Sequence, residues 1–216
     1  GMIVYEGNLL PAAFQNQVIH CDPGPNVVRA YPVKEQGAGY TAQIFNLLKN
    51  EKDQWFRPAD ICIAPDGSLI IADWYDPGVG GHAAGDQQRG RIYRVAPSGS
   101  KYTVPKFDYA TPAGAVVALQ NPNNSVRHHA WTALRTMGDK AVPDLEKLWK
   151  SSPNPRMRAR AFWVLVKMPG KEKPLIQEAI KDNNPHFRMM GLRAAAQLNS
   201  DITGVVEQLV NDPDKQ

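Results

Sequence analysis

The sequence is poor in cysteine, with only Cys21 and Cys62 among 216 residues, each inside an apolar run. Neither cysteine belongs to a CxxC, CxxCH or Cys/His pattern. Such patterns are needed for a cysteine-based zinc site and for covalent haem attachment, so the sequence excludes both. The two cysteines are either two buried free thiols or one disulfide between neighbouring strands, and the sequence leaves both interpretations open.

Long apolar runs and blocks of one charge are also missing. No stretch of about 18 consecutive apolar residues occurs, so the sequence predicts no transmembrane segment. The formal net charge is +4, and Lys and Arg are scattered through the second half of the chain. Because this distribution is typical of a solvated helical surface, we predict no nucleic-acid partner. The hydrophobic content of 43% is sufficient for buried cores.

The first half of the chain, residues 1–107, has the features of β-structure. Short runs rich in Val, Ile and Tyr are separated by Gly, Pro and Asn, which is typical of antiparallel strands and turns. The Pro65-Asp66-Gly67 corner between two apolar runs is a strong hairpin signal. Four strands and then three more are predicted, near residues 2–6, 17–21, 27–33, 41–48, 59–64, 68–75 and 91–96.

Sets of four antiparallel strands repeated around an axis are the blades of a β-propeller, and a closed ring needs at least about four blades. Residues 1–107 supply fewer than two such sets, because the second set lacks its fourth strand. We therefore predict a multidomain chain whose β-part is the C-terminal end of a propeller, about two blades. The chain is then expected to be a fragment of a larger protein. An open sandwich is the alternative.

Residues 108–216 contain an internal repeat of 30 to 31 residues, visible in the pairs Val126-Arg127, Met157-Arg158 and Phe187-Arg188. Apolar residues follow each pair at helical intervals and form one stripe, and an asparagine precedes each helix at the N-cap position. These features predict an α-α superhelix of HEAT-like repeats after a short helix at 112–120. The second helices of the repeats are predicted near residues 141–150, 172–181 and 202–210.

Two polar features recur with the same period. Arg127, Arg158 and Arg188 either form a ladder to carbonyl or carboxylate groups of the adjacent repeat or lie on a solvated face, and both interpretations stay open. Asp212-Pro213 resembles the Asn184-Pro185 start of a first helix, 28 residues later in the chain. We therefore expect the last repeat to be truncated.

A glycine-rich loop between two predicted strands, residues 76–89, is the first place to look for chemistry. Loops longer than about 12 residues inside compact domains are usually functional or disordered. His82 in this loop is the candidate base, and Asp73 and Asp76 are candidates to orient it or to bind Ca²⁺ through oxygen ligands. The candidates to hold an anionic cofactor are three arginines: Arg57, Arg89 and Arg91.

Each of these residues also has a purely structural explanation. Asp73 and Asp76 are in positions where Asx residues cap turns, and His82 can bond a backbone carbonyl. Trp55 and Trp74 are expected in the core rather than as stacking platforms.

Several sequence runs resemble a known family. They are Trp55-Phe56-Arg57-Pro58-Ala59-Asp60, Pro65-Asp66-Gly67, Ala72-Asp73-Trp74-Tyr75-Asp76-Pro77, Gly80-Gly81-His82 and Arg89-Gly90-Arg91-Ile92-Tyr93-Arg94. These runs are similar to the last blades of glucose/sorbosone dehydrogenase-like quinoprotein propellers. The closer resemblance is to a family of membrane-bound dehydrogenases in which such a propeller runs directly into HEAT-like repeats. This resemblance covers essentially the whole chain.

The resemblance implies that the parent protein is a periplasmic or extracellular oxidoreductase that oxidises a sugar or alcohol with pyrroloquinoline quinone (PQQ) and Ca²⁺. It implies catalytic roles for His82 and Asp73, cofactor binding by the three arginines, and a calcium site at Asp73 and Asp76. The fragment alone is expected to be inactive and to hold no cofactor, because most blades are missing. The alternative function is a non-enzymatic scaffold that binds a protein or polysaccharide, with the HEAT surface as the protein-binding face.

Overall fold

The computed structural model describes residues 1–79 and 88–214, which form two compact units. Unit 1 contains Gly1–Lys106 together with Asn121–Asn124, and it is built from antiparallel sheets. Unit 2 contains Phe107–Gln120 together with Ser125–Gln216, and it is helical. The predicted order of antiparallel sheet followed by HEAT-like helices is therefore confirmed. Among the described residues, no helix combines the length and the apolar character that a membrane span requires.

The described part of unit 1 contains nine strands in three antiparallel sheets. The strands are β1 Met2–Val4, β2 Val18–Asp22, β3 Val27–Tyr31, β4 Val33–Gln36, β5 Gly39–Ala42, β6 Phe45–Lys49, β7 Pro58–Ile63, β8 Leu69–Asp73 and β9 Arg91–Val95. One sheet has the order β1-β2-β3-β6, a second has the order β7-β8-β9, and β4 pairs with β5 alone. The two larger sheets are meanders, in which each strand pairs with the next strand of its sheet along the chain.

The strand predicted near residues 41–48 was wrong, because this region contains two strands that belong to different sheets. Gly37 has φ +61°, a conformation that favours glycine, and it lies in the turn of an extra hairpin. Within this hairpin Gln36 pairs with Gly39 and Val33 pairs with Ala42. The chain then returns as β6 to pair with β3 in the four-stranded sheet. Gly37 therefore lies in a hairpin turn between β4 and β5.

The apolar core of unit 1 lies between the four-stranded and three-stranded sheets, where β2 contacts β7. Tyr5 is buried in this core and joins the two sheets by hydrogen bonds. Its hydroxyl donates to the Gly67 carbonyl at 2.7 Å and accepts from the backbone N–H groups of Leu9 and Leu10 at 3.1 and 2.9 Å. Burial raises the pKa of this phenol. The hydrogen bond also holds the turn at Gly67, whose φ is +89°.

Both cysteines are free thiols, so the disulfide interpretation was wrong. Cys21 faces the core, and burial raises its pKa to about 11. Cys62 is exposed, which corrects the interpretation of two buried thiols. The reason is strand alternation: Ile61 and Ile63 of β7 point into the core, so the residue between them points away from it.

Unit 2 contains seven α-helices and a short 3₁₀ segment at Gly138–Ala141 in its described part. The helices are α1 Pro112–Leu119, α2 Asn124–Met137, α3 Val142–Ser151, α4 Pro155–Leu165, α5 Glu172–Ala179, α6 Pro185–Gln197 and α7 Ile202–Leu209. The first helices of the repeats are α2, α4 and α6, and the second helices are α3, α5 and α7. The sequence predicted each second helix to within two residues at either end.

Local sequence explains where the first helices begin. Asn154 and Asn184 precede α4 and α6, and their side chains accept hydrogen bonds from the N–H groups of Arg156 and His186. A proline occupies the first position of each of these helices, where the missing N–H has no intrahelical partner to lose. The N-caps predicted at these two asparagines are confirmed.

The apolar stripes of the repeats pack into one continuous core. Trp149 of α3 is fully buried at its centre, with the rings of Phe162 and Phe187 at centroid distances of 5.4 and 5.2 Å. Its indole N–H donates to Glu178 at 2.8 Å, so this buried donor is satisfied. Small residues bring the helices close. A Cβ added to Gly191 would lie 2.7 Å from Ile180 Cγ2, a distance that only glycine avoids.

The arginine ladder is confirmed for Arg158 and Arg188. Arg158 donates to Asp182 Oδ2 at 2.6 Å and to the Trp149 carbonyl at 2.8 Å. Arg188 donates to Asp212 Oδ1 at 2.6 Å. Each arginine contacts an aspartate 24 residues further along the chain, in the turn that follows the second helix of its repeat. The interpretation as a purely solvated face is therefore wrong for these two residues.

The alignment of Asp212 with Asn184 was also wrong, because Asp212 occupies the position of Asp182. Asp182 Oδ1 accepts the N–H of Asn184 at 2.9 Å, and Asp212 Oδ1 accepts the N–H of Asp214 at 2.9 Å. Both aspartates also bind a ladder arginine. The two turns are therefore equivalent structural elements. Asp212-Pro213 shares only its proline with Asn184-Pro185, and that proline led to the wrong correspondence.

The Arg188–Asp212 contact predicts a pH dependence of stability. The Arg188 hydrogen bond is the main cause of a lowered Asp212 pKa, about 2 in the folded chain. Because this value lies below the unfolded pKa of about 3.9, the stabilisation is complete above that pH and is lost as the pH falls towards 2. We expect Asp212→Asn to destabilise the chain at neutral pH, and the difference from the native sequence to shrink below about pH 4.

Urea unfolding of both proteins between about pH 3 and pH 7 measures this difference. Asp139→Asn, on an exposed turn, is the control and should change stability little at any pH. A difference between Asp212→Asn and the native chain that stays constant across this range would contradict the role of the contact.

Candidate functional site

The predicted site residues meet where β8 ends. Asp73, the last residue of β8, is buried, and its Oδ1 accepts the N–H groups of Arg57 and Tyr75 at 2.8 and 2.9 Å. Its Oδ2 faces Arg91 Nη1 at 3.5 Å. One carboxylate therefore joins the segment before β7, the chain leaving β8 and the first residue of β9.

Tyr75 is the strained residue of this site. Its φ is +53°, which is uncommon for a residue other than glycine, and its side chain is buried. The guanidinium carbons of Arg91 and Arg89 lie 3.9 and 5.4 Å from the centre of its ring, and the Trp55 ring lies 5.6 Å away. We call Trp55, Tyr75, Arg89 and Arg91 the Tyr75 cluster. Two cations therefore lie against one aromatic ring, a contact that stabilises the buried position of this side chain.

Arg91 is held among acidic and phenolic groups. Its Nη1 lies 3.5 Å from Asp73 Oδ2 and 3.8 Å from Asp53 Oδ2. A hydrogen bond with Tyr75 raises the pKa of Arg91, burial opposes this effect, and the neighbouring Tyr93 adds to it. Burial raises the pKa of Tyr93 against the opposing effect of Arg91. The charge of Arg91 is therefore matched within unit 1.

One carboxylate oxygen of Asp76 has no hydrogen-bond partner among the described residues. Its Oδ1 accepts the N–H of Gly78 at 2.8 Å, and its own N–H donates to the Trp55 carbonyl at 3.0 Å. The side chain is buried, and Oδ2 has no hydrogen-bond partner within the described part of the chain. The predicted turn-capping role of Asp76 is thus present, and one buried carboxylate oxygen remains available.

Arg57 bridges two turns instead of facing a cavity. Its Nη1 donates to the Pro23 carbonyl at 3.1 Å, and its Nη2 donates to the Pro77 carbonyl at 3.0 Å. These bonds hold the turn after β2 and the turn after β8 at the same place. The guanidinium is buried among backbone acceptors, which is a structural role.

The structure thus brings together Asp73, Asp76, Arg57, Arg89 and Arg91, whereas His82 lies outside the described residues. The described residues include no group of three or more His, Cys, Asp or Glu side chains that could hold a metal ion. Because Ca²⁺ takes six to eight oxygen ligands, the available Asp76 oxygen and the occupied Asp73 carboxylate do not fit a resident calcium ion. Arg57 and Arg91 are likewise committed to protein acceptors, which does not fit a cradle for an anionic quinone.

Sequence reasoning missed two residues of the site and misplaced one. Trp74 was expected in the core but is exposed, whereas Trp55 packs on Tyr75. Tyr75 and Asp53 were not identified, since neither a positive φ at tyrosine nor an ion pair across 38 residues leaves a local sequence signal. Only the concentration of aromatic and charged residues in the Asp73–Asp76 run indicated this place.

A second candidate surface lies on the helices of unit 2, where charge is unevenly distributed. The first helices α2, α4 and α6 carry seven arginines and no aspartate or glutamate. Three acidic side chains of the second helices instead link repeats. Glu146 pairs with Lys171 at 2.9 Å, Glu178 accepts from Trp149, and Glu172 accepts from Ser200.

Three cations of the first-helix side are exposed. Arg135 of α2 and Lys167, just after α4, both approach the ring of Trp131, at 5.1 and 5.9 Å from its centre. Arg193 of α6 is the third. We call Arg135, Lys167 and Arg193 the basic face. Two cations from successive repeats thus share one aromatic ring and have no acidic residue on their own helices.

Comparison with known proteins defines the two parts of the chain. Residues 113–175, which extend from α1 through α4 to the start of α5, match the model of HEAT repeats. Residues 1–99 match the model of a domain of unknown function, DUF7133. The chain therefore carries a DUF7133 domain followed by HEAT repeats. No curated protein and no solved structure matches it. These findings give no support to the dehydrogenase resemblance.

The hydrogen bonds of Asp73 predict a large cost for its removal. We expect Asp73→Ala to lower the free energy of unfolding by about 2–4 kcal/mol, because the N–H groups of Arg57 and Tyr75 lose their acceptor inside the protein. Asp60→Ala, an exposed carboxylate in the same sheet, is the matched control and should stay within about 0.5 kcal/mol. Denaturant unfolding measures both, and equal effects would contradict the role of Asp73.

Proposed function

We propose that the helical unit of this chain binds an acidic segment of a partner protein through the basic face. The observation that carries this proposal is the convergence of Arg135 and Lys167 on Trp131, on helices without acidic residues. HEAT repeats commonly serve as protein-binding surfaces, and equivalent helices of stacked repeats present one extended face. Two cations beside an aromatic ring can bind the carboxylates of an acidic segment while the ring contacts one of its apolar side chains.

The rest of the charge distribution supports an acidic partner. Arg158 and Arg188 are neutralised by turn aspartates, and Glu146 pairs with Lys171 between repeats. Among the described residues, no ion pair neutralises Arg135, Lys167 or Arg193. Such a surface accelerates association with an oppositely charged partner, and salt screens the attraction over about 8–10 Å.

Binding of a fluorescent glutamate-rich peptide to the purified chain tests this proposal. The triple variant Arg135→Ala/Lys167→Ala/Arg193→Ala should bind roughly tenfold more weakly at low salt, whereas a glutamine-rich peptide should bind to neither protein. The matched control is Lys147→Ala/Lys150→Ala/Lys173→Ala, which removes three exposed cations from the second helices. It should bind within about twofold of the native chain.

Equal losses in the two triple variants would show attraction to net charge alone and would contradict a specific face. Tighter binding to single-stranded RNA than to the acidic peptide, lost in the same variant, would identify a nucleic-acid surface instead. Anisotropy titrations at low and high salt distinguish these outcomes.

For unit 1 we infer the end of a β-propeller. Both large sheets are meanders, one of four strands and one of three, and they share a core, as neighbouring blades do. In a longer protein with the remaining blades, the outer edge of β9 would receive the fourth strand of the last blade. An arrangement of this kind is what the resemblance to quinoprotein propellers implies.

A second candidate function is oxidation of a sugar or alcohol by such a longer, periplasmic or extracellular protein. The buried Asp76 Oδ2 beside strained Tyr75 favours it, since an unpaired buried carboxylate oxygen is costly and marks ligand sites. The PQQ of such a protein would be held by residues outside this chain, because Arg57 and Arg91 already bind protein acceptors. Quinone-dependent dye reduction with a panel of sugars and alcohols tests this function, and absence of both turnover and quinone binding would favour the scaffold.

A further inference from the structure

The three cations of the basic face are carried by elements that lie side by side in unit 2. Lys167 follows α4 and approaches the ring of Trp131 in α2, so these two helices are neighbours. The Cζ atom of Arg158 in α4 lies 4.1 Å from the ring centre of Phe187 in α6, so the next two helices are neighbours as well. The basic face therefore crosses three adjacent first helices, with one cation for each helix.

The Trp131 ring limits the distance between the first two cations. Arg135 Cζ and Lys167 Nζ lie 5.1 and 5.9 Å from the centre of this ring, so these two atoms are at most about 11 Å apart. The axes of packed helices are about 8–10 Å apart, which sets the interval between cations on adjacent helices. The basic face therefore presents positive charges at intervals of about 8–11 Å.

The first helices present charge rather than apolar surface to a partner. Residues 124–137, 155–165 and 185–197, all of which the structure describes, expose no large apolar side chain. Trp131 is half-buried beside two of the cations. A helical partner docks by its apolar face and needs an apolar groove to receive it. The basic face is therefore suited to an extended, charged segment instead.

An extended chain repeats its side-chain directions at a fixed interval. In the polyproline II conformation, with three residues per turn and a rise of about 3.1 Å per residue, every third side chain points to the same side at intervals of about 9 Å. In a β-strand every second side chain does so, at intervals of about 7 Å. Of these two, the three-residue interval matches the spacing of about 8–11 Å between the cations.

We propose that the basic face recognises an extended partner segment with an acidic residue at every third position. Arg135, Lys167 and Arg193 each pair with one carboxylate of this segment. An apolar residue between the carboxylates that meet Arg135 and Lys167 contacts the Trp131 ring. This inference rests on the proposed function of the basic face and adds the sequence pattern of the partner. The positions of the carboxylates, and not total charge alone, then determine the affinity.

Two fluorescent peptides with blocked ends and identical composition are the probes. The spaced peptide, Glu-Leu-Gln-Glu-Gln-Leu-Glu, has the predicted pattern, and the contiguous peptide, Glu-Glu-Glu-Leu-Gln-Gln-Leu, has its three carboxylates in a row. Because the two peptides have equal charge, a difference in affinity reports the spacing. We expect the spaced peptide to bind the full chain roughly fivefold more tightly in anisotropy titrations at low salt.

Paired changes in the chain and in the spaced peptide test the individual contacts. Arg135→Ala and Arg193→Ala should each weaken binding about threefold, the size of one exposed ion pair. When one terminal glutamate of the peptide is replaced by glutamine, only two cations are paired, so at least one of these variants should lose its effect. Lys173→Ala, which removes an exposed cation of α5, is the matched control and should leave the affinity of both peptides unchanged.

Three outcomes would overturn the inference. Equal affinity of the spaced and contiguous peptides, lost in the triple variant of the basic face, would remove the spacing and leave the proposed acidic partner intact. Full effects of both arginine variants on the peptide with one glutamine end would show attraction to overall charge without individual pairing. No binding of either peptide to the native chain at about 1 mM would contradict this inference and the proposed function together.

Discussion

A HEAT helix pair has more apolar surface than its two helices can bury between themselves, and this constraint organises unit 2. Each second helix has one side in the core of its own repeat and another side that only the next repeat can cover. In α5 that second side is closed by α6, with Gly191 on Ile180. The polar links follow the same direction, because Arg158 and Arg188 each reach the turn of the following repeat.

This constraint also explains how charge is sorted in the helical unit. Aspartates and glutamates are used where repeats meet, as partners of Arg158, Arg188, Lys171 and Trp149. An acidic residue at such a position satisfies a donor and fixes the spacing of two repeats. The first helices carry no acidic residues, and Arg135, Lys167 and Arg193 take part in no ion pair within the described part of the chain.

In unit 1 the corresponding constraint is the long segment between β8 and β9, because its two ends have to be held at neighbouring strands. The Asp73 carboxylate accepts hydrogen bonds from two backbone N–H groups and faces Arg91. Tyr75 has a positive φ, and its ring contacts two arginines. Residues whose types suggested catalysis therefore have defined structural contacts. Two buried atoms of these residues, Asp76 Oδ2 and Arg57 Nε, have no hydrogen-bond partner in the described structure.

The sequence by itself determined the order of sheet and helices, the repeat period and the positions of the helix caps. These are local properties, since an Asn-Pro start or an apolar stripe acts within a few residues. Only the tertiary structure decided that Gly37 turns an extra hairpin, that Cys62 faces solvent, and that Asp212 corresponds to Asp182. It also decided that Arg57 bonds two distant carbonyls. Pairing across tens of residues and burial by another element leave no mark within a sequence window, so only the folded chain reveals them.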